Sequence, residues 1–222
     1  MNEVNSCLYI RREKSGKYIV LDIILCVIIL IIIAEFMFAS SFSRIYVVES
    51  SMYPTLNGAT AEGEAGGDYV YIDKNATPTY GDIVVVNTGD KLIIKRVIAL
   101  GGDTVKLVNG KLKIKYSGDD DFTDVSESYV SPENNLKSER NNYPLVQNIF
   151  GFSYLDERGH LVNDNSMFLL GDNRDVSVDS REYGDFLMSS LVGVVTDWSL
   201  KYKKINTAVQ TFIIFTVPGI FS

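Results

Sequence analysis

Histidine occurs once in this sequence, at position 160, and cysteine twice, at positions 7 and 26. Both cysteines precede the bulk of the chain, so the body beyond them folds without disulfide staples. Neither their spacing nor the solitary His160 supplies the ligands of a zinc site. A Ser-His-Asp triad would have a single candidate base. Basic residues are also the minority, 21 Lys and Arg against 28 Asp and Glu, for a net charge of −7. That excludes the clustered positive charge a nucleic-acid partner requires, and the acidity reads as a means to solubility. What remains is ample apolar material. Hydrophobic residues make up 46% and charged residues 22% of 222 positions, which is no disordered profile and suffices for a real core.

The apolar material is concentrated first at the N-terminus. Positions 1–17 carry Arg11, Arg12, Lys14 and Lys17, and positions 18–39 are then mostly apolar, without interruption from 23 to 34. At ~1.5 Å per residue, 18–39 covers about 33 Å as a helix, enough for a bilayer core. Asp22 and Glu35 fall towards the ends, where they can reach headgroups. Basic residues ahead of the span predict a cytoplasmic N-terminal tail and a body on the outer side. The competing reading is a cleaved secretory signal, but Phe36, Met37 and Phe38 crowd the place where a small-x-small cleavage site would stand. A buried helix of a soluble protein would need a polar face, which this stretch lacks.

Beyond position 40 the pattern is strand-like. Short β-branched and aromatic runs at 44–48, 68–72, 82–87, 92–100, 104–108, 111–116, 167–170 and 191–197 alternate with Gly, Asn, Asp and Pro. Asn109 and Gly110 predict a two-residue hairpin turn. Positions 117–165 are polar and begin with Asp119, Asp120 and Asp121; they read as an inserted lobe with a solvated charge run, to which no chemistry is assigned. The body thus divides into 40–116 and 166–200 around that insert. The tail, 201–222, opens with Lys201, Lys203 and Lys204 and continues with an apolar stretch at 207–221 that contains Gln210 and Pro218. It is short for a bilayer span, and lying in the interface, returning to the body as a strand, or fraying all remain open.

Three polar segments interrupt the strands. The first is Glu49, Ser50, Ser51, Met52, Tyr53, Pro54, Thr55 and Leu56. The second begins with Lys95 and Arg96 inside an apolar run and ends at Gly101, Gly102 and Asp103. The third runs from Gly171, Asp172, Asn173 and Arg174 through Ser177, Asp179, Ser180 and Arg181. Singly, each has a structural explanation: a strand entering a proline turn, an edge strand with one cation in and one out, a loop laced with surface ion pairs worth ~0–1 kcal/mol each. Together they supply a nucleophile, a base and a polar support. With no usable histidine, a serine can be activated by a lysine whose amine is neutral. A free lysine titrates near ~10.4, so under about one in a thousand is neutral at pH 7. Lowering that to ~7–8 requires about 4 kcal/mol of destabilised ammonium. The apolar neighbours Leu92, Ile93, Ile94, Val97 and Ile98 can provide it by excluding water from Lys95.

These segments, with Tyr80, Gly81, Asp82, Ile83 and Val84 between the first two, resemble the successive boxes of the bacterial type I signal peptidases, membrane-bound serine–lysine endopeptidases. The resemblance runs in order from 18 to 195, apart from the insert, and is most specific in the Gly-Asp-Asn-Arg-x-x-Ser-x-Asp-Ser-Arg run at 171–181. It implies Ser51 as nucleophile, Lys95 as general base and Ser177 as a hydroxyl that bonds and aims the lysine amine. It implies Asp172, Arg174, Asp179, Arg181 and Arg96 as a charged scaffold, and the Ser51 N–H as an oxyanion donor. Two positions depart from the pattern. Glu49 stands where members can have a serine serving as second oxyanion donor, and an ionised carboxylate donates nothing; either its side chain turns away or Ser50 or a water takes the role. Gly101 stands where proline is frequent.

The resemblance further implies a mostly β, antiparallel, partly barrel-like catalytic body with a smaller inserted lobe behind one transmembrane helix. It implies an enzyme without metal or organic cofactor in the plasma membrane. Its partners would be the bilayer and signal-peptide-bearing preproteins, whose cleavage region adds as an extended strand with small residues at alternate positions. Three other readings are distinguishable. A catalytically silent relative acting as a preprotein- or pilin-assembly factor would leave the wild type inert. A self-cleaving repressor-type protease would be soluble and carry a DNA-binding domain. An anchored adhesin would leave all the motifs unexplained.

Overall fold

The computed structural model describes residues 16–60, 66–108, 111–134 and 159–216. The chain divides into two compact units at Ser41. The first contains helix α1, Gly16–Ser41, whose side chains are uniformly apolar apart from a few near its ends. From Tyr18 to Ser41 it is long and apolar enough to cross a membrane. It extends the 18–39 stretch by two residues at each end, because the flanking Gly, Lys and Ser residues continue the backbone ladder of a helix already nucleated by the apolar run.

The second unit is built on an antiparallel sheet of seven strands. In chain order these are β1 (Phe42–Tyr46), β2 (Tyr69–Asp73), β3 (Ile83–Asn87), β4 (Leu92–Leu100), β9 (Ser166–Leu170), β10 (Phe186–Leu187) and β11 (Leu191–Val195). Their spatial order is β1-β2-β11-β3-β4-β9-β10. The first and last strands do not pair among the described residues, so the barrel-like expectation resolves into an open sheet. A second sheet, ordered β7-β6-β5-β8, comprises β5 (Thr104–Val108), β6 (Lys111–Lys115), β7 (Thr123–Asp124) and β8 (His160–Leu161). β5 and β6 pair with Val108 opposite Lys111, the register a two-residue connection imposes, though Asn109 and Gly110 themselves lie outside the described residues. This sheet begins at Thr104, ahead of the polar 117–165 segment, of which 135–158 are outside the described residues.

The strands form where the sequence concentrates β-branched residues, and burial explains their composition. β3 is buried at its first four positions, as expected for a strand covered on both faces. β4 is buried on both sides of its two cations. One apolar cluster gathers Met52, Leu56, Ile72, Ile83, Val85 and Ile94, and a second gathers Val84, Val97, Met167 and Leu169. β4 is not an edge strand. It pairs with β3 from Leu92 to Arg96 and with β9 from Arg96 to Leu100.

Among the described residues this unit also contains three α-helices: α2 (Ser180–Tyr183), α3 (Asp197–Lys201) and α4 (Lys203–Thr216). As far as Thr216 the tail is helical, which sets aside its return to the body as a strand. Its start is held to the body: Lys203 pairs with Asp68 at 3.2 Å, and Thr207 Oγ1 accepts the Tyr69 N–H at 3.0 Å. These bonds offset the conformational entropy that a short, free apolar segment could not.

Candidate active site

Ser51 follows β1 by a short connection. Beyond it, Val48 bridges Ala59, and the Glu49 N–H donates to the Ala59 carbonyl at 2.8 Å. The fold requires Gly58 here, since a Cβ at that position would lie 1.6 Å from the Glu49 carbonyl oxygen. The turn then carries Met52 and Leu56 into the core, both fully buried, which fixes Ser51 against the sheet. Ser51 is itself buried, at 6% exposure. Its carbonyl accepts the Asn173 N–H at 3.0 Å, and the Asn173 side-chain amide donates to the Ser50 carbonyl at 3.1 Å. The third polar segment thus holds the first by its backbone.

Lys95 enters from β4, opposite Val84 of β3. Its Nζ lies 2.8 Å from Ser51 Oγ and 3.0 Å from the Ile94 carbonyl. The side chain is 3% exposed and makes no ion pair among the described residues. Burial lowers its pKa from 10.5 to about 8; Asp179 and Glu49 oppose that shift at longer range, while Lys91 and Arg181 add to it. At neutral pH about one lysine in ten is then an uncharged amine, against under one in a thousand in water. The pair can move a proton from hydroxyl to amine.

Ser177 stands differently from the expectation. Its Oγ is buried and makes no hydrogen bond to Lys95 among the described residues; the Ser177 side chain instead favours the ionised Asp179 carboxyl, and the Lys95 amine bonds the Ile94 carbonyl. The space around it is tight. A Cβ on Gly171 would come within 2.2 Å of Ser177 Oγ and 2.5 Å of the Ser51 carbonyl oxygen, so only glycine lets β9 leave the sheet this close to the nucleophile.

Behind the pair, the expected charged residues are all brought together as ion pairs. Arg96 clasps Asp172 with two bonds, Nε to Oδ1 at 2.8 Å and Nη2 to Oδ2 at 2.6 Å, and donates Nη1 to the Gly81 carbonyl at 2.7 Å. Arg181 clasps Asp179 in the same way, at 2.7 and 2.9 Å. Asp179 also caps α2 and accepts the Gly171 N–H at 2.9 Å. Burial drives the Asp179 carboxyl up, against the Gly171 N–H, the Ser177 side chain, the Lys95 charge and the Arg181 N–H, and drives the Arg181 guanidinium down, against the charges of Glu182 and Glu127. Arg174, 1% exposed, donates to the Gly171 carbonyl at 3.0 Å and to both oxygens of Glu127.

Several participants were not legible beforehand. Glu127 comes from the polar insert, and nothing in its sequence context marks it as the counter-ion of Arg174. Tyr129 of the same segment places its ring 4.0 Å from the Arg96 guanidinium and bonds Glu127 at 3.1 Å. Thr55 Oγ1 donates to Asp172. Asn173 could have been found, since it stands inside the Gly-Asp-Asn-Arg run. The Glu49 carboxylate, by contrast, is exposed and lies 3.5 Å from Lys91. Of the alternatives open for it, turning away is what occurs. His160 is buried against Asp185 at 2.7 Å and takes no part at Ser51. No cluster of metal-ligating side chains occurs among the described residues.

Comparison with known proteins reaches most of the chain. The family model described as "Signal peptidase, peptidase S26" matches residues 19–198. Signal peptidase I S of Bacillus subtilis (strain 168) is 34% identical over 194 residues, 83% of this chain and 89% of that protein. Signal peptidase I of Bacillus amyloliquefaciens is 33% identical over 196 residues, 82% and 89% of the two chains. A solved signal peptidase I from Enterococcus faecalis V583 is 28% identical, covering 55% of this chain and 98% of that one, with a TM-score of 0.37.

Proposed function

The chain belongs to the signal peptidase family, peptidase S26, and from that premise we propose that it is a membrane-anchored serine endopeptidase that removes signal peptides from exported preproteins. The observation that carries this reading is a buried lysine amine 2.8 Å from a serine hydroxyl, with no acidic partner bonded to the amine.

In this mechanism the neutral Lys95 amine takes the Ser51 proton as Oγ attacks the scissile carbonyl carbon. The negative charge that develops on the carbonyl oxygen is met by the Ser51 N–H. The Lys95 ammonium then returns its proton to the leaving amine, the peptide C–N bond breaks, and an acyl group remains on Ser51. Lys95 next takes a proton from water, whose oxygen attacks the ester; the acyl–Oγ bond breaks, the Lys95 ammonium returns the proton to Ser51 Oγ, and the signal-peptide carboxylate is released. Arg96, Asp172, Arg174, Asp179 and Arg181 hold the loop from 171 to 181 against Ser51 and touch no reacting atom.

The pairing of β4 supports the substrate mode. Leu92 to Lys95 pair with β3 on one side, whereas β9 joins only from Arg96, so the other edge of this half-strand can accept an extended peptide next to Lys95. The apolar α1 supports anchoring, and the basic residues before it favour a cytoplasmic N-terminus with the body on the outer face. Anchoring confines enzyme and signal peptide to one surface and raises their effective concentration.

The test is a preprotein assay in detergent. Wild type should cut after a small-x-small site, and Ser51→Ala and Lys95→Ala should each abolish cutting. An inert wild type would turn the reading towards a silent assembly factor.

A further inference from the structure

The tail helices carry a second feature. Trp198, Tyr202, Ile205 and Val209 are all exposed, at 39%, 46%, 61% and 49%. Backbone bonds from Tyr202 N–H to Trp198 O and from Asn206 N–H to Tyr202 O carry the helical ladder across the junction of α3 and α4. At 3.6 residues per turn the four side chains then share an arc of about 60°. The opposite side of the same segment is committed to the body: Ser199 Oγ accepts the Tyr71 N–H at 2.6 Å, Lys203 pairs with Asp68, and Thr207 holds the Tyr69 N–H. Along one flank of the apolar stripe stand Lys201 and Lys204, both exposed, with Asp197 the one acid, at the start of α3.

Two observations say what covers this face. The Trp198 ring lies 6.3 Å, edge-on, from that of Phe42 and 5.2 Å from that of Tyr71. Phe42 is the residue directly after α1, the helix apolar enough to cross a membrane. The stripe therefore starts beside the point where the chain leaves that helix. It also begins with Trp and Tyr, the side chains that settle at headgroup depth, and is edged by lysines in a chain whose net charge is −7. We propose that α3 and α4 form a second membrane contact, lying in the headgroup layer of an anionic bilayer with this stripe inserted and Lys201 and Lys204 on lipid phosphates. Docking there would give the body a second point of attachment to the membrane besides α1. The inference takes from the proposed function only that α1 spans.

Trp198 is the only tryptophan, so its emission reports one site. The full chain is reconstituted into vesicles of phosphatidylcholine alone and of phosphatidylcholine with phosphatidylglycerol. A second reporter, Trp198→Phe with Val209→Trp, samples the stripe about three turns further on. In anionic vesicles both reporters should be quenched by headgroup-region nitroxide lipid and shielded from aqueous iodide. Lys201→Glu with Lys204→Glu should release the position-209 reporter, each lysine contributing roughly fivefold to partitioning. Raising the salt on the unreversed chain should act in the same direction without a charge reversal. Unchanged preprotein cleavage in detergent confirms that the charge-reversed chain is folded. If the position-209 reporter is open to iodide and untouched by nitroxide in anionic vesicles, the proposal is overturned. Shielding from both quenchers, together with a crosslinked dimer, assigns the face to a second copy and overturns it equally. Carbonate extraction of the same vesicles reports spanning by α1 separately.

Discussion

Lys95 and Arg96 are neighbours on one strand, and their surroundings could hardly differ more. Successive side chains leave a strand on opposite faces, so the two cations enter different environments one residue apart. Arg96 meets a carboxylate in two-bond geometry, a backbone carbonyl and an aromatic face. Lys95 meets a hydroxyl, a carbonyl and apolar walls. One charge is stabilised where it stands, and the other is driven towards losing its proton. The pairing of Arg96 fastens the 171–181 loop; the lack of pairing at Lys95 leaves a base ready beside Ser51. Burial supports rigidity when a charge is compensated and reactivity when it is not.

The largest effect should come from removing the uncompensated cation. Lys95→Met keeps the volume and loses the amine, so cleavage should fall by at least ~10³-fold in a preprotein assay. Stability should move the other way. The folded pKa of about 8 lies below the ordinary lysine value of 10.5, so in that window the unfolded chain holds more protons and wild-type stability rises with pH. Below pH 8 the wild type carries the whole penalty, about 3 kcal/mol. Urea unfolding of Lys95→Met should therefore show a gain of up to that size at neutral pH and no rise between pH 8 and 10.5. A variant less stable than wild type at pH 7 would contradict the contrast. In the wild type, kcat/KM should climb through about pH 8 as the amine deprotonates.

Breaking the compensated cation should do the opposite to stability. Asp172→Ala leaves Arg96 without its carboxylate and should lower the unfolding free energy by about 3–5 kcal/mol, read from the urea midpoint. A loss below 1 kcal/mol would mean that Arg96 finds water or another partner at once. Next in size is Gly171→Ala. The added methyl would press on Ser177 and the Ser51 carbonyl, and displacing the nucleophile by ~1 Å should slow cleavage about 10²-fold, with folding retained by circular dichroism. The smallest effect sharpens the electrostatics. Glu49 favours the charged lysine and Lys91 disfavours it. Glu49→Gln should shift the rising limb of the pH profile slightly down, and Lys91→Gln should shift it slightly up. Because that surface pair is exposed, neither should alter stability by more than about 1 kcal/mol. The absence of a shift in both variants would show that solvent screens the two groups completely.

Much of this was visible in the residues. β4 and β5 form over the predicted 92–100 and 104–108, and β1, β2, β3, β6, β9 and β11 lie within two residues of the predicted runs, because β-branched runs bounded by turn residues leave few alternatives. The apolar N-terminal run is a helix for the same kind of reason. Glu127 and Tyr129 were not legible: their role depends on a segment folding back on Arg174 and Arg96 from far along the chain. The tail helix was not legible either, since its stability comes from bonds to Asp68 and to the backbone of β2. Ser177 shows the reverse case, a position that a motif marks strongly and whose hydroxyl makes no hydrogen bond to Lys95 among the described residues.

By itself the sequence determined the local terms: which runs extend, which run can enter a bilayer, and which serine and lysine could do chemistry without a histidine. Those follow from side-chain shape, hydropathy and intrinsic acidity, which each residue carries with it. Only the tertiary structure decided that two residues 44 positions apart meet at 2.8 Å, and that one of two adjacent cations is left without a counter-charge. Desolvation and ion pairing depend on what surrounds a group in space, and the packing of the sheet supplies those surroundings.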